Sequence, residues 1–222
     1  MGKHIDFVSN IHMSTKRDYV ARVLEADKAE CAAVAKQWGY DYWDGDRKFG
    51  YGGYVYDGRW RVVAENLVAH YRLKDGDRIL DVGCGKAHLL YEITQVVPGI
   101  EVVGIDISEY ALRTAKEEVR PYLRLGDARD LPFENHSFDF VFSLATLHNL
   151  NIDQLSSAIS EIVRVMKTDR GYVMVESFRN ENEKVNLLYW QLTCESFHSP
   201  ENWEWILRKN NYNGDFGFIF FE

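Results

Sequence analysis

From Ile79 onward the chain alternates short runs, apolar on both faces, with stretches in which apolar positions recur every three or four residues. The runs are ILDVG (79–83), EVVGID (101–106), YLRLGD (122–127), FDFVFS (138–143) and GYVMVES (171–177). Strands buried on both faces read as near-continuous apolar runs, so these five predict a parallel sheet. Between the first two, residues 87–97 put Leu89, Leu90, Ile93, Val96 and Val97 on one side of a helix that Pro98 and Gly99 stop. Ser108 is placed to cap a second crossover helix ending before Pro121, and Leu155, Ile159, Ile162, Val163 and Met166 mark a third. The expected fold is α/β: an open, mostly parallel, doubly wound sheet covered by helices on both faces.

The first 75 residues differ. Two helix patterns, Val20, Val23, Leu24 and Val34, then Trp60, Val63, Ala64, Leu67, Val68 and Tyr71, flank a loop-like stretch at residues 41–60. That stretch holds seven aromatics and five glycines. Glycines give it mobility and the rings offer flat faces with polar tips, a combination suited to closing over a flat ligand; the alternative is that the rings pack the helices onto the sheet. After Ser177, VNLLYWQLTC fits either a helix or a buried strand, NWEWILRKN reads as a helix and FGFIFFE as a last strand. No repeat or linker divides the chain, so residues 1–222 read as one domain: a helical, aromatic-rich extension (1–75), a core (76–177) and a C-terminal elaboration (178–222).

Composition narrows the class. With 46% apolar, 14% aromatic and 27% charged residues, the 222-residue chain is globular. Lys and Arg number 13 against 12 Asp and Glu in residues 1–80 and 13 against 22 in the rest, so no region offers the basic face that phosphate-backbone binding needs, and nucleic acid is disfavoured. Cys31, Cys84 and Cys194 are widely spaced and form no CxxC pair, which argues against a disulfide framework or a structural zinc site. No signal-like or membrane-spanning apolar run is present, and a cytoplasmic protein is expected.

In an open α/β sheet, ligands bind beyond the carboxyl ends of the strands. There the first run ends in Asp81, Gly83 and Gly85, where glycine lets backbone approach a ligand, and the second ends in Asp106, 23 residues after Gly83, placed to accept from a ribose diol. A dinucleotide fingerprint would need a third glycine where His88 stands, and no second mononucleotide half follows, so a nicotinamide cofactor is disfavoured. The third run ends in Gly126, Asp127 and Ala128, and carboxylates at three successive strand ends suit a cationic ligand without phosphate.

ILDVGCG, VVGIDIS, GDARDLPF and FDFVFSLATLH, in that order, resemble the motif series of class I S-adenosylmethionine-dependent methyltransferases over about residues 76–177. The resemblance implies S-adenosylmethionine as cofactor. It further implies that Asp81, Gly83 and Gly85 serve the methionine end, that Asp106 holds the ribose hydroxyls, and that Ile107 packs on the adenine. Asp127 and Ala128 would bind the adenine edge, and Ser143 and Leu144 would border the methionine and sulfonium. Two departures stand out: Ala87 replaces the family's frequent third glycine, and the family's terminal β-hairpin has no clear counterpart.

For catalysis the candidates are His148, after the fourth run, and Glu176, ending the fifth, with Arg179 beyond it facing the same mouth. His148 has the ordinary pKa for a general base at neutral pH; the alternative is a structural, hydrogen-bonding histidine. Cys84 reads as a small packing residue rather than a thiolate. No metal cluster is visible. The expected activity is methyl transfer to an O, N or C atom of a small polar metabolite, a sugar or nucleotide sugar among the possibilities given the Tyr and Trp faces. The alternative is a methyltransferase-fold binding or partner subunit without turnover of its own.

Overall fold

A computed structural model describes residues 2–222. Six strands form one sheet: β1 (Arg78–Val82), β2 (Glu101–Asp106), β3 (Leu123–Leu125), β4 (Phe140–Leu144), β5 (Gly171–Glu176) and β6 (Asp215–Ile219). Their order is β3-β2-β1-β4-β5-β6, and every pairing is parallel. Strand order therefore reverses between β1 and β4.

Among the described residues, ten α-helices accompany the sheet. Five precede it: α1 (Ser9–Met13), α2 (Tyr19–Leu24), α3 (Lys28–Ala35), α4 (Tyr40–Trp43) and α5 (Arg61–Tyr71). Five follow β1: α6 (His88–Val96), α7 (Glu109–Thr114), α8 (Ile152–Val165), α9 (Glu181–Trp190) and α10 (Pro200–Lys209). Successive strand residues point to opposite faces and so feed two cores. Ile79, Phe140 and Phe142 pack with Val63, Leu67, Leu90 and Ile93 of α5 and α6. Leu80, Val82 and Val141 pack with Ile159 and Ile162 of α8 and Trp203 and Ile206 of α10. Ser108 caps α7 by accepting from the Ala111 N–H at 3.0 Å.

The ends depart from the sequence expectation. The first N-terminal pattern is two short helices, α2 and α3, and Val20 and Leu24 face solvent, so its apolar spacing marks no buried face. VNLLYWQLTC contributes to α9 and supplies no strand. FGFIFFE does form the last strand, β6, but parallel to β5: α10 carries the chain back along the sheet, burying Trp203, Ile206 and Leu207, so no hairpin forms. Residues 3–5 cover the outer edge of β6, the Ile5 N–H donating to the Phe216 carbonyl at 2.8 Å and the Phe216 N–H to the Lys3 carbonyl at 3.0 Å, which satisfies backbone groups an edge would expose. No described helix is long and apolar enough to cross a membrane.

Candidate active site

The chain leaves β1 through Gly83 and Gly85, both at positive φ (82° and 52°). Here glycine is required: a methyl on Gly83 would overlap the Thr146 side chain, and one on Gly85 would lie 2.7 Å from Cη2 of Trp43. Ala87, at φ 54°, takes the left-handed region that a glycine would occupy without strain.

Asp106, at the end of β2, is tied to this turn. Its Oδ2 accepts from the Gly85 N–H at 2.7 Å and its Oδ1 from the Ser108 N–H at 2.8 Å. Each oxygen keeps a further lone pair, the acceptor set a diol needs. Burial raises the carboxyl's pKa, and these backbone donors oppose that rise. Asp81 is 5% exposed with no hydrogen-bond donor on its carboxyl; burial, then the Asp106 charge, pushes its pKa well up. A cationic group beside it would reverse that penalty. Buried carboxyls at a glycine turn thus suit a cationic nucleoside, and Asp81 and Asp106 are the residues that would hold it.

The remaining expected contacts vary. Ile107 is half exposed just past Asp106, and Ala128 and Leu144 are half-buried. Asp127 is half-buried and engaged by Arg129, Nε donating to Oδ1 at 2.9 Å and Nη2 to Oδ2 at 2.6 Å. Ser143 is a correction: it is fully buried, and its hydroxyl donates to the Val82 carbonyl at 2.8 Å, tying β4 to β1 instead of bordering a ligand. Cys84 packs against Gly104, and burial pushes its thiol pKa up.

The catalytic candidates separate. Glu176 lines a cavity of about 420 Å³ beyond the carboxyl ends of β4, β5 and β6; His148 does not. The Glu176 Oε1 accepts from Gln191 Nε2, while Oε2 is buried with no well-aligned hydrogen bond, 3.4 Å from His148 Nε2. Burial raises the Glu176 pKa to about 8. His148 is 2% exposed, its Nδ1 accepts from the Glu176 N–H at 3.4 Å, and burial lowers its pKa to about 3. A proton-accepting role for His148 at the cavity is therefore revised: it lies beneath Glu176. Arg179 is turned away as well, paired with Glu183 and Glu222 and stacked on Phe220.

Several residues of the site carry no mark in the sequence. Trp43 covers Gly85 and donates to Ser108 Oγ at 2.9 Å. Asp44, next to it, accepts from buried Lys86 at 2.7 Å and from the Tyr110 hydroxyl at 2.7 Å, latching the aromatic stretch onto the start of α6 and onto α7. The rings of that stretch stack on one another and on the sheet's helices, Trp43 on Tyr51 and Tyr54 on His88, and Tyr42, Tyr51, Tyr54 and Trp60 also wall the cavity. The packing reading of residues 41–60 thus describes Trp43, Tyr51 and Tyr54, and rings of the same stretch also wall the cavity. Among the described residues, no three His, Cys, Asp or Glu side chains converge as metal ligands.

Residues 80–175 match a family model described as a methyltransferase domain. A demethylmenaquinone methyltransferase of Symbiobacterium thermophilum is 33% identical over 145 residues, covering 60% of this chain and 57% of the relative. One from Staphylococcus aureus is 30% identical over 166 residues, covering 69% of this chain and 68% of the relative. The chain thus spans little more than half the length of the first relative. A solved geranyl diphosphate methyltransferase in complex with S-adenosylmethionine superposes with a TM-score of 0.57 at 17% identity, covering 68% of this chain and 64% of that one; at that identity the likeness is one of fold.

Proposed function

The chain belongs to the class I S-adenosylmethionine-dependent methyltransferases, with S-adenosylmethionine as cofactor, and from this we propose that it methylates an O, N or C atom of a small acceptor held beyond β4, β5 and β6. One observation carries the reading. The glycine and carboxylate row at the ends of β1 and β2 borders the aromatic cavity through consecutive residues: Thr146 packs on Gly83, and Ala145 lines the cavity. A methyl donor at the glycine turn and an acceptor in the cavity would meet at the border between the two, with no side chain between the reacting atoms.

Bound at Asp81 and Asp106, the cofactor supplies a methyl group on a sulfonium. The protein's share is alignment and exclusion of water, for which the latched aromatic stretch and the Tyr and Trp walls are suited. Glu176 is the candidate base for a hydroxyl or carbon acceptor, because its side chain lines the cavity and burial raises its pKa to about 8. His148 is the positioning residue beneath it.

As to the acceptor, the relatives are named for demethylmenaquinone, and Tyr42, Tyr51, Tyr54 and Trp60 offer faces for a flat ring. A hydroxylated aromatic ring is therefore favoured over the sugar or nucleotide sugar expected from the sequence. The test measures S-adenosylmethionine binding by calorimetry and S-adenosylhomocysteine formation with a reduced demethylmenaquinone, simple dihydroxybenzenes and nucleotide sugars. Turnover with the ring compounds supports the reading; turnover with nucleotide sugars alone reverses the acceptor assignment. Binding without turnover on any of them would favour a partner subunit.

A further inference from the structure

Arg17, Arg22 and Arg47 come from separate stretches of the N-terminal extension, yet their guanidinium carbons lie 5.3, 5.3 and 5.1 Å from the ring centre of one residue, Trp190, at the end of α9. All three line the cavity. None pairs with a carboxylate among the described residues. Their donors reach only neutral groups: Arg17 the carbonyls of His12 and Thr15, both at 3.0 Å, and the His12 ring; Arg22 the Arg47 carbonyl; Arg47 the carbonyls of Gly50 and Tyr51. The Nε atoms of Arg17 and Arg22 are buried with no acceptor at all.

Such a cluster is unfavourable as it stands. The Trp190 face attracts each cation, but three like charges gathered around one ring repel one another, and two buried N–H donors stay unmade. Burial lowers the pKa of all three, and the Arg47 charge adds to that effect at Arg17 and Arg22. Glu176, the one carboxyl in the cavity wall, opposes that effect at Arg17, and Glu25 and Asp46 oppose it at Arg22, but burial outweighs them and none forms an ion pair with the three arginines. In a chain of net charge −8, this is a concentrated positive site inside a concavity that stays open to solvent.

We propose that the methyl acceptor is an anion and that Arg17, Arg22 and Arg47 hold its carboxylate or phosphate group in this cavity. Planar guanidinium forks match both groups, and the unused Nε donors are the ones such a group would satisfy. The term acceptor rests on the methyl-transfer reading above; the anion site does not.

The test titrates the full chain at low ionic strength with phenyl phosphate, benzoate and phenol, which share a ring and differ in charge, and with S-adenosylmethionine in parallel. The anions are expected to bind at least tenfold tighter than phenol, with the stronger of the two naming the group recognised. Arg17→Gln and Arg22→Gln should each weaken anion binding about tenfold, the scale of one charge-assisted hydrogen bond, while S-adenosylmethionine affinity is retained and reports an intact fold. Arg22→Lys should recover part of the loss, and Arg179→Gln, outside the cavity, should cost nothing. Equal affinity for phenol and the anions, or anion binding that survives the double Arg17→Gln, Arg22→Gln change, overturns the proposal. Anion binding without S-adenosylmethionine binding would instead leave the anion site standing and sink the methyl-transfer reading.

Discussion

Nε2 of His148 lies 3.4 Å from Oε2 of Glu176, with both side chains almost wholly buried and the Glu176 N–H already donating to the other ring nitrogen. The accepting Nδ1 puts the ring proton on Nε2, facing Glu176. Further backbone donors, the N–H groups of Glu195 and Ser196, hold the His148 carbonyl at 2.9 and 3.0 Å. Burial favours the neutral form of both side chains, so their pKa values shift in opposite directions and exchange order, to about 3 for the histidine and about 8 for the carboxyl.

This pair sets opposite pH dependences of stability. The His148 pKa falls from 6.5 to about 3 on folding, so the stability it supports is present above 6.5 and is lost as pH drops towards 3. The Glu176 pKa rises from 4.5 to about 8, so its contribution is full below 4.5 and is lost as pH climbs through 8. Each effect is on the order of a few kcal/mol. Melting curves from pH 4 to pH 9 should show His148→Gln losing less stability than the parent on the acid side and Glu176→Gln losing less on the alkaline side. Parallel curves for parent and variants would refute the assignment.

Turnover carries the second signature. With Glu176 as the base for a hydroxyl acceptor, the rate rises with pH through an ionisation near 8. Glu176→Gln should remove that rise and lower turnover by roughly a hundredfold, leaving S-adenosylmethionine affinity unchanged. Because the Arg17 charge helps hold the Glu176 pKa down, Arg17→Gln should shift the profile upward. An unaltered profile in Glu176→Gln removes it from the chemistry.

Asp106→Ala should weaken S-adenosylmethionine and S-adenosylhomocysteine alike, by about ten- to a hundredfold, from the loss of charge-assisted bonds worth roughly 1.5–3 kcal/mol. The same change frees the Gly85 and Ser108 N–H groups, so a modest fall in melting temperature should accompany it. Calorimetry showing full affinity would detach Asp106 from the ribose.

Lys86 is buried and grips both carboxylate oxygens of Asp44 at 2.7 Å. Lys86→Met should release residues 41–60 from α6, and limited proteolysis should then cut that stretch several-fold faster than in the parent. Cofactor should protect the parent if the stretch covers it. Identical cleavage rates in the two proteins would show that the Asp44 latch does not hold the loop.

The sheet was legible in the sequence because strands buried on both faces must be apolar throughout, and each of the five runs from ILDVG to GYVMVES lies on a strand of the structure. The glycine turn was legible for a related reason: positive φ at Gly83 and Gly85 restricts the residue type at those positions. Both are local constraints, written where they act. The parallel setting of β6 was not, since FGFIFFE pairs the same way on paper in either direction and only the α10 crossover decides it. Ser143 lies in β4 and His148 follows it closely, but whether each faces ligand, sheet or core depends on what packs against it: the Val82 carbonyl for one and Glu176 for the other. The arginine cluster is the extreme case. Arg17, Arg22 and Arg47 lie on segments far from Trp190 along the chain, and their meeting around its ring is a property of how the N-terminal extension folds back over the sheet, which no periodicity records.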